Sequence, residues 1–184
     1  MKKLTLILIL FFSSLTFAQD AGIKMIKFVK KDTVQLRWAT TSADNFLKGL
    51  KQGYEIQRVN QVDQSEETII IASFNERKQS LKNSKDSSAL FLIEMLNDAV
   101  NQPVEDIVLT NLYFMLSLAA SNDRMVAILT GTFYEDVNLP NGNYKYRIKY
   151  KGDKMYDEIS VNTKSLDKNP QFKTLTGESR IDLK

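Results

Sequence analysis

The chain of 184 residues sets 25 Lys and Arg against 22 Asp and Glu, a net charge of +3, and contains neither histidine nor cysteine. Their absence removes imidazole bases, thiol nucleophiles, disulfides and His/Cys metal sites, and with them most hydrolase triads and zinc enzymes. The length suits one good core, or one domain with an appendage.

The first residues open with Lys2 and Lys3, run apolar from Leu4 to Phe12 and reach Thr16, Phe17 and Ala18 before Gln19. That pattern predicts a secretory signal peptide over residues 1–18, since its apolar run is well short of the ~20 residues of a spanning helix. Without Lys2 and Lys3, 23 cations face 22 anions and the net charge falls to +1. The expected product is exported to the periplasm, the cell surface or the medium, with no transmembrane segment after cleavage. Lacking cysteine, it relies on its core alone.

Residues 23–30, IKMIKFVK, and 33–40 within DTVQLRWAT alternate apolar and polar at the strand period of two. In the second, Val34, Leu36 and Trp38 share one face, and Gln35 and Arg37 take the other. A polar stretch follows, with Asp44 expected to cap a short helical turn and Gly53 to stop it. YEIQRV, with Tyr54 and Ile56 in phase, and ETIIIASF read as two further strands.

From about residue 84 the period becomes helical. SSALFLIEMLNDAVN places Leu92, Met95, Leu96, Ala99 and Val100 on one stripe, with Ser87 or Ser88 as the cap. Pro103 opens a second segment whose expected buried stripe is Val104, Ile107, Val108, Leu112, Met115 and Leu118. A third runs from Asn122 or Asp123 through Met125, Val126 and Leu129 to Gly131. Strand alternation returns in NYKYRIKYKGD, with Tyr144, Tyr146, Ile148 and Tyr150 on one face and Lys145, Arg147, Lys149 and Lys151 on the other. Gly152 and Asp153 turn the chain into MYDEISVNT, making a hairpin. Residues 165–174, polar and broken by Pro170, read as a linker.

Strands on both sides of a helical block can close only by pairing the first half with the last. The expected fold is mainly β with a helical insertion at about 84–131, a sandwich interrupted by about three helices. Trp38 in VQLRW, the strand YEIQR and the stretch LPNGNYKYRI together resemble a fibronectin type III domain over residues 19–164. In that resemblance Leu139, Tyr144 and Ile148 correspond to the leucine, corner tyrosine and valine that introduce the penultimate strand. Leu139 and Tyr144 stand one residue closer than the family pattern has them. One ordinary sandwich strand, between ETIIIASF and DVNLPNGN, has no obvious counterpart. The helical interruption is similar to a variant of the fold in secreted Bacteroidetes proteins. At the end of the chain Ile181, Leu183 and Lys184 align with Val34, Leu36 and Arg37, so 175–184 is either an amphipathic tail or the start of a second sandwich repeat.

Carboxylates are the remaining route to catalysis, since a glycosidase needs only two acids. Glu94 and Asp98 lie four apart on one helix, and Glu135 and Asp136 at a helix-to-strand connection. Acids beside an apolar stripe usually form its solvated face, however. Ser165 and Lys168 match a Ser-x-x-Lys spacing without a helix to hold them. No phosphate loop, dinucleotide fingerprint or calcium loop is present, so no cofactor is expected.

The basic strand separates its aromatics from its cations, the reverse of a nucleic-acid platform, where both share one surface. It therefore reads as a sandwich strand whose core residues are Tyr144, Tyr146 and Ile148. Lys145, Arg147, Lys149 and Lys151 form the candidate face for an acidic glycan or protein partner. The helical insertion either presents a docking surface or replaces a lost strand. A noncatalytic exported module for adhesion, assembly or spacing is the first expectation, and a stand-alone secreted glycan- or protein-binding protein the alternative.

Overall fold

The computed structural model describes residues 21–30, 32–81 and 87–164. The expectations for residues 1–18, 165–174 and 175–184, and for a cap from the Ser87 or Ser88 side chain, lie outside what is described. In chain order the elements are β1 (Ile23–Lys30), β2 (Thr33–Thr40), α1 (Ala43–Gln52), β3 (Tyr54–Asn60) and β4 (Glu66–Ile71). The helices α2 (Phe74–Leu81), α3 (Ser87–Asn101), α4 (Asp106–Asn122) and α5 (Arg124–Thr130) follow, then β5 (Phe133–Asp136), β6 (Asn143–Tyr150) and β7 (Asp157–Asn162).

The strands form two antiparallel sheets, of order β1-β2-β5 and β4-β3-β6-β7. Side chains alternate across a strand, so one face of each sheet turns inward. Val34, Leu36 and Trp38 from the first sheet meet Tyr54, Ile56, Tyr144, Tyr146 and Ile148 from the second in one buried cluster. A second cluster holds the helices together: Phe46 and Leu50 of α1, Phe74 of α2, Leu96 of α3, Leu116 of α4 and Leu129 of α5. Phe133 of β5 joins it, so this layer rests on the outer side of the first sheet. The result is a mixed α+β, sandwich-like body of helices, a three-stranded sheet and a four-stranded sheet.

Several expectations are corrected. The three helices expected at about 84–131 are α3, α4 and α5; the departures lie before them, where α1 is a full helix rather than a short turn and α2 begins at Phe74, in the stretch ETIIIASF expected as strand. The cap of α1 is Ser42, whose hydroxyl accepts from the Asn45 N–H at 3.2 Å; Asp44 sits in the first turn. Glu135 and Asp136 lie within β5, a strand between ETIIIASF and DVNLPNGN where none was expected, which pairs Leu36 with Tyr134. The buried stripe of α4 is Leu109, Leu112, Leu116 and Ala120. Of the expected residues only Leu112 belongs to it, while Ile107, Val108, Met115 and Leu118 are exposed.

Gly49 shows how tightly the helical layer meets the sandwich. A Cβ there would stand 1.9 Å from the Tyr54 hydroxyl, in the buried seam between α1 and β3. Overpacking of this kind costs about 1–3 kcal/mol, and the better helix propensity of alanine returns only about 1. Gly49→Ala is therefore expected to lower the thermal midpoint by a few degrees. An unchanged or raised midpoint in calorimetry would mean that α1 does not press on Tyr54.

Candidate functional site

The cationic face of β6 is built, and then largely neutralised, by its neighbours. Register places Arg147 opposite Glu158 of β7 and Lys149 opposite Glu55 of β3. Lys145 and Arg147 both reach Glu158, at 2.8 and 2.9 Å, and Lys149 reaches Glu55 at 2.8 Å. Those two cations, Lys145 first, hold the Glu158 carboxyl below its usual range. Lys151 lies exposed in the turn after β6. Three of the four candidate cations thus spend their charge within the sheet.

The acid pairs separate by environment. Glu94 and Asp98 are both exposed on α3, and no cluster of three or more metal-ligating side chains occurs among the described residues. Glu135 is engaged by Arg124 at 2.6 Å and by Gln35 at 2.6 Å. Asp136 is buried and accepts from Arg58 at 2.7 and 2.8 Å and from the Tyr146 hydroxyl at 2.8 Å. Since Asp136 belongs to one sheet and its donors to the other, this cluster is a tie between sheets. Burial, with Asp136 adding to it, raises the Tyr146 phenol well above its ordinary range.

Another buried cation, Arg77 of α2, donates to the backbone oxygens of Ala72 and Leu129. Burial lowers its guanidinium to about 10. Gly131, at φ +70, ends α5 in the left-handed conformation beside it; a Cβ there would meet Arg77 at 2.5 Å. This contact belongs to packing, since it closes the C-terminal end of α5.

The most site-like feature lies between the helices and the first sheet. Register sets Ile26 opposite Arg37 and Lys24 opposite Ala39 on the outer face of β1 and β2. Helix α4 is fastened over that face at two points. The Tyr113 hydroxyl donates to the Thr40 carbonyl at 2.6 Å, and Arg37 Nη1 donates to the Ala120 carbonyl at 2.6 Å. Between them α4 presents Ser117 and Ala120, and β2 presents Ala39, all too small to fill the space. A cavity of about 230 Å3 results, bounded also by Ile26, Trp38, Phe46 and Leu116. Its lining is mainly carbon, with Arg37 and Lys24 at the rim. Burial, and secondarily Arg124, lowers the Arg37 guanidinium from its ordinary value.

Reasoning from the sequence missed this site because small residues carry no chemical signature. Arg37 lies, as expected, on the face opposite Val34 and Leu36, and there it holds α4; Trp38, one of the core positions, also borders the cavity.

Fold and site together define a mixed α+β protein with a sandwich-like body and an apolar cavity on its helical side. No family model matches the chain, and no curated protein or solved structure is significantly similar to it. No helix among the described residues is long and apolar enough to cross a membrane.

Proposed function

We propose that the protein is an exported, noncatalytic module built on a fibronectin type III-like sandwich. It serves adhesion, assembly or spacing in the cell envelope or outside the cell, and holds a protein partner at the cavity between β1–β2 and α4. The cavity carries this reading. At about 230 Å3 and lined mainly by carbon, it suits an apolar side chain. A sugar would leave its hydroxyls without hydrogen bonds there, which favours protein over glycan.

The sandwich part is supported by strand order, three strands facing four. It is supported also by Tyr144, whose hydroxyl donates to the Pro140 carbonyl at 3.0 Å with Leu139 buried nearby. A corner tyrosine of such sandwiches bonds back to the backbone in the same way. Export rests on Lys2, Lys3, the apolar run and the small-residue site ending at Ala18; the resemblance to secreted Bacteroidetes proteins rests on the helical interruption of the sandwich, with which that leader and the lysine-rich composition are compatible.

The test uses a photo-crosslinking amino acid at Ile26, on the lip of the cavity, in the cells that make the protein, followed by fractionation. The expected result is one adduct with another protein in the envelope or medium, on a chain beginning at Gln19. Ala39→Trp, which fills the mouth from an exposed position, should abolish it. Recovery of the protein in the cytoplasm refutes export. An adduct that survives Ala39→Trp, or no adduct at all, refutes binding at the cavity.

A further inference from the structure

Helix α4 has a second apolar face, turned away from the cavity. Ile107, Val108, Phe114, Met115 and Leu118 are exposed on it, with Ile107 and Phe114 at 63 % and Leu118 at 69 %. At 100° per residue they form one stripe, with Asn111 at its middle. No charged residue interrupts the helix from Ile107 to Asn122.

We propose that this face is the interface of a homodimer, in which α4 pairs antiparallel with α4 of a second copy about a two-fold axis at Asn111. Area is the first argument. At roughly 100 Å2 per exposed side chain of this size the stripe offers on the order of 500 Å2, and the surrounding helix surface brings it towards the ~800 Å2 per partner of a stable complex. Charge is the second. Helices that lie on a membrane carry Lys and Arg on their polar face. Here the stripe is flanked by Glu105, Asp106 and Asp123, while the nearest cation along the chain, Arg124, is paired with Glu135 at 2.6 Å, and Arg37 meets α4 on its opposite, sheet-facing side. These acids disfavour an anionic bilayer against the stripe, whereas the uncharged stripe of a second copy can meet it.

Register is the third. A two-fold axis at Asn111 sets Ile107 against the partner's Met115 and Val108 against the partner's Phe114. It brings the two Asn111 amides together, each able to donate to and accept from the other. A single polar residue in an otherwise apolar seam is how helix pairs fix their register. The antiparallel arrangement also opposes the helix dipoles and keeps Glu105 and Asp106 away from their own copies.

The test is sedimentation equilibrium on Gln19 to Lys184, with Leu118→Lys as the interface variant. The wild type is expected to dimerise reversibly, and Leu118→Lys, which puts a charge into each end of the apolar seam, to weaken the dimer about tenfold or more. Its circular dichroism should remain unchanged, and its melting should match the wild type's at concentrations where both are monomeric, because the side chain is exposed in the monomer. The native chain has no cysteine, so Asn111→Cys supplies a sole thiol on the proposed axis. On oxidation it should give a disulfide-linked dimer, while Val62→Cys, in the exposed β3–β4 turn, should not. A wild type that stays monomeric overturns the proposal, as does a dimer indifferent to Leu118→Lys. So does a monomer that sediments with anionic vesicles, or an Asn111→Cys chain that fails to cross-link.

Discussion

Trp38→Ala is expected to cost about 3–5 kcal/mol, the range for removing a buried large aromatic. On a domain of this size that lowers the thermal midpoint by about 10 °C or more. Trp38 is 5 % exposed and meets the Tyr54 ring edge-on, with centroids 5.3 Å apart. It also forms part of the floor beneath the cavity, so truncation would open the space between the sheets into the space under α4. Neither α4, held by Tyr113 and Arg37, nor the sheets can collapse into such a gap, which sets the expectation at the upper end. The indole N–H approaches the Tyr54 hydroxyl without ordinary hydrogen-bond geometry, and both atoms are buried. Trp38→Phe should therefore cost much less than Trp38→Ala, since it removes a poorly satisfied donor while keeping most of the ring. Chemical denaturation of both variants separates the effects. Equal losses would mean that the polar atom matters more than the volume, and no loss in Trp38→Ala would remove Trp38 from the core.

The same residue illustrates which parts of the structure were legible in the sequence. Strands with one apolar and one polar face, such as VQLRW and NYKYRIKY, declare both their period and their inward side. Helix α4 does not, because apolar residues occur at nearly every angle around IVLTNLYFMLSLAASN. Two stripes of equal periodicity compete there, and only the helices and sheet beneath decide that Leu109, Leu112, Leu116 and Ala120 are the buried one. Strand β5 escaped notice for a different reason. Its pattern is inverted: Phe133 points outward into the helical core, and the charged Asp136 points inward between the sheets. A binary reading of four residues cannot tell that from a loop. The cavity was illegible because it is made by Ala39, Ser117 and Ala120 being small, a property that matters only once α4 is fastened above them.

Asp136 makes the second large prediction because its inversion is compensated by specific partners. Desolvation works against the Arg58 cation, and the hydrogen bonds and charge of Asp136 more than offset it. Breaking a buried pair by removing one member typically costs about 3–5 kcal/mol, because the other is left desolvated. Asp136→Ala is expected to fall in that range, softened towards its lower end by Glu67, which also accepts from Arg58. If the cost is that of a stranded charge, Arg58→Met in the Asp136→Leu background should recover most of the loss, and a thermodynamic cycle should show strong coupling. Additive losses would instead mean that each residue acts through its own packing. Tyr146 adds a pH test with a definite sign. In the unfolded chain its phenol ionises near 10.0, whereas in the fold burial and Asp136 keep it protonated well above that. The native state then binds the extra proton, so stability falls as pH rises past about 10, by about 1.4 kcal/mol per unit for each such tyrosine. Tyr54, raised by burial in the same way, contributes a second equal slope. Tyr146→Phe should lose the hydrogen bond to Asp136 at neutral pH and make the alkaline slope shallower by about 1.4 kcal/mol per unit. A variant that melts along the same curve as the wild type above pH 10 would show that Tyr146 ionises freely, and the tie between the sheets would then be Arg58 and Asp136 alone.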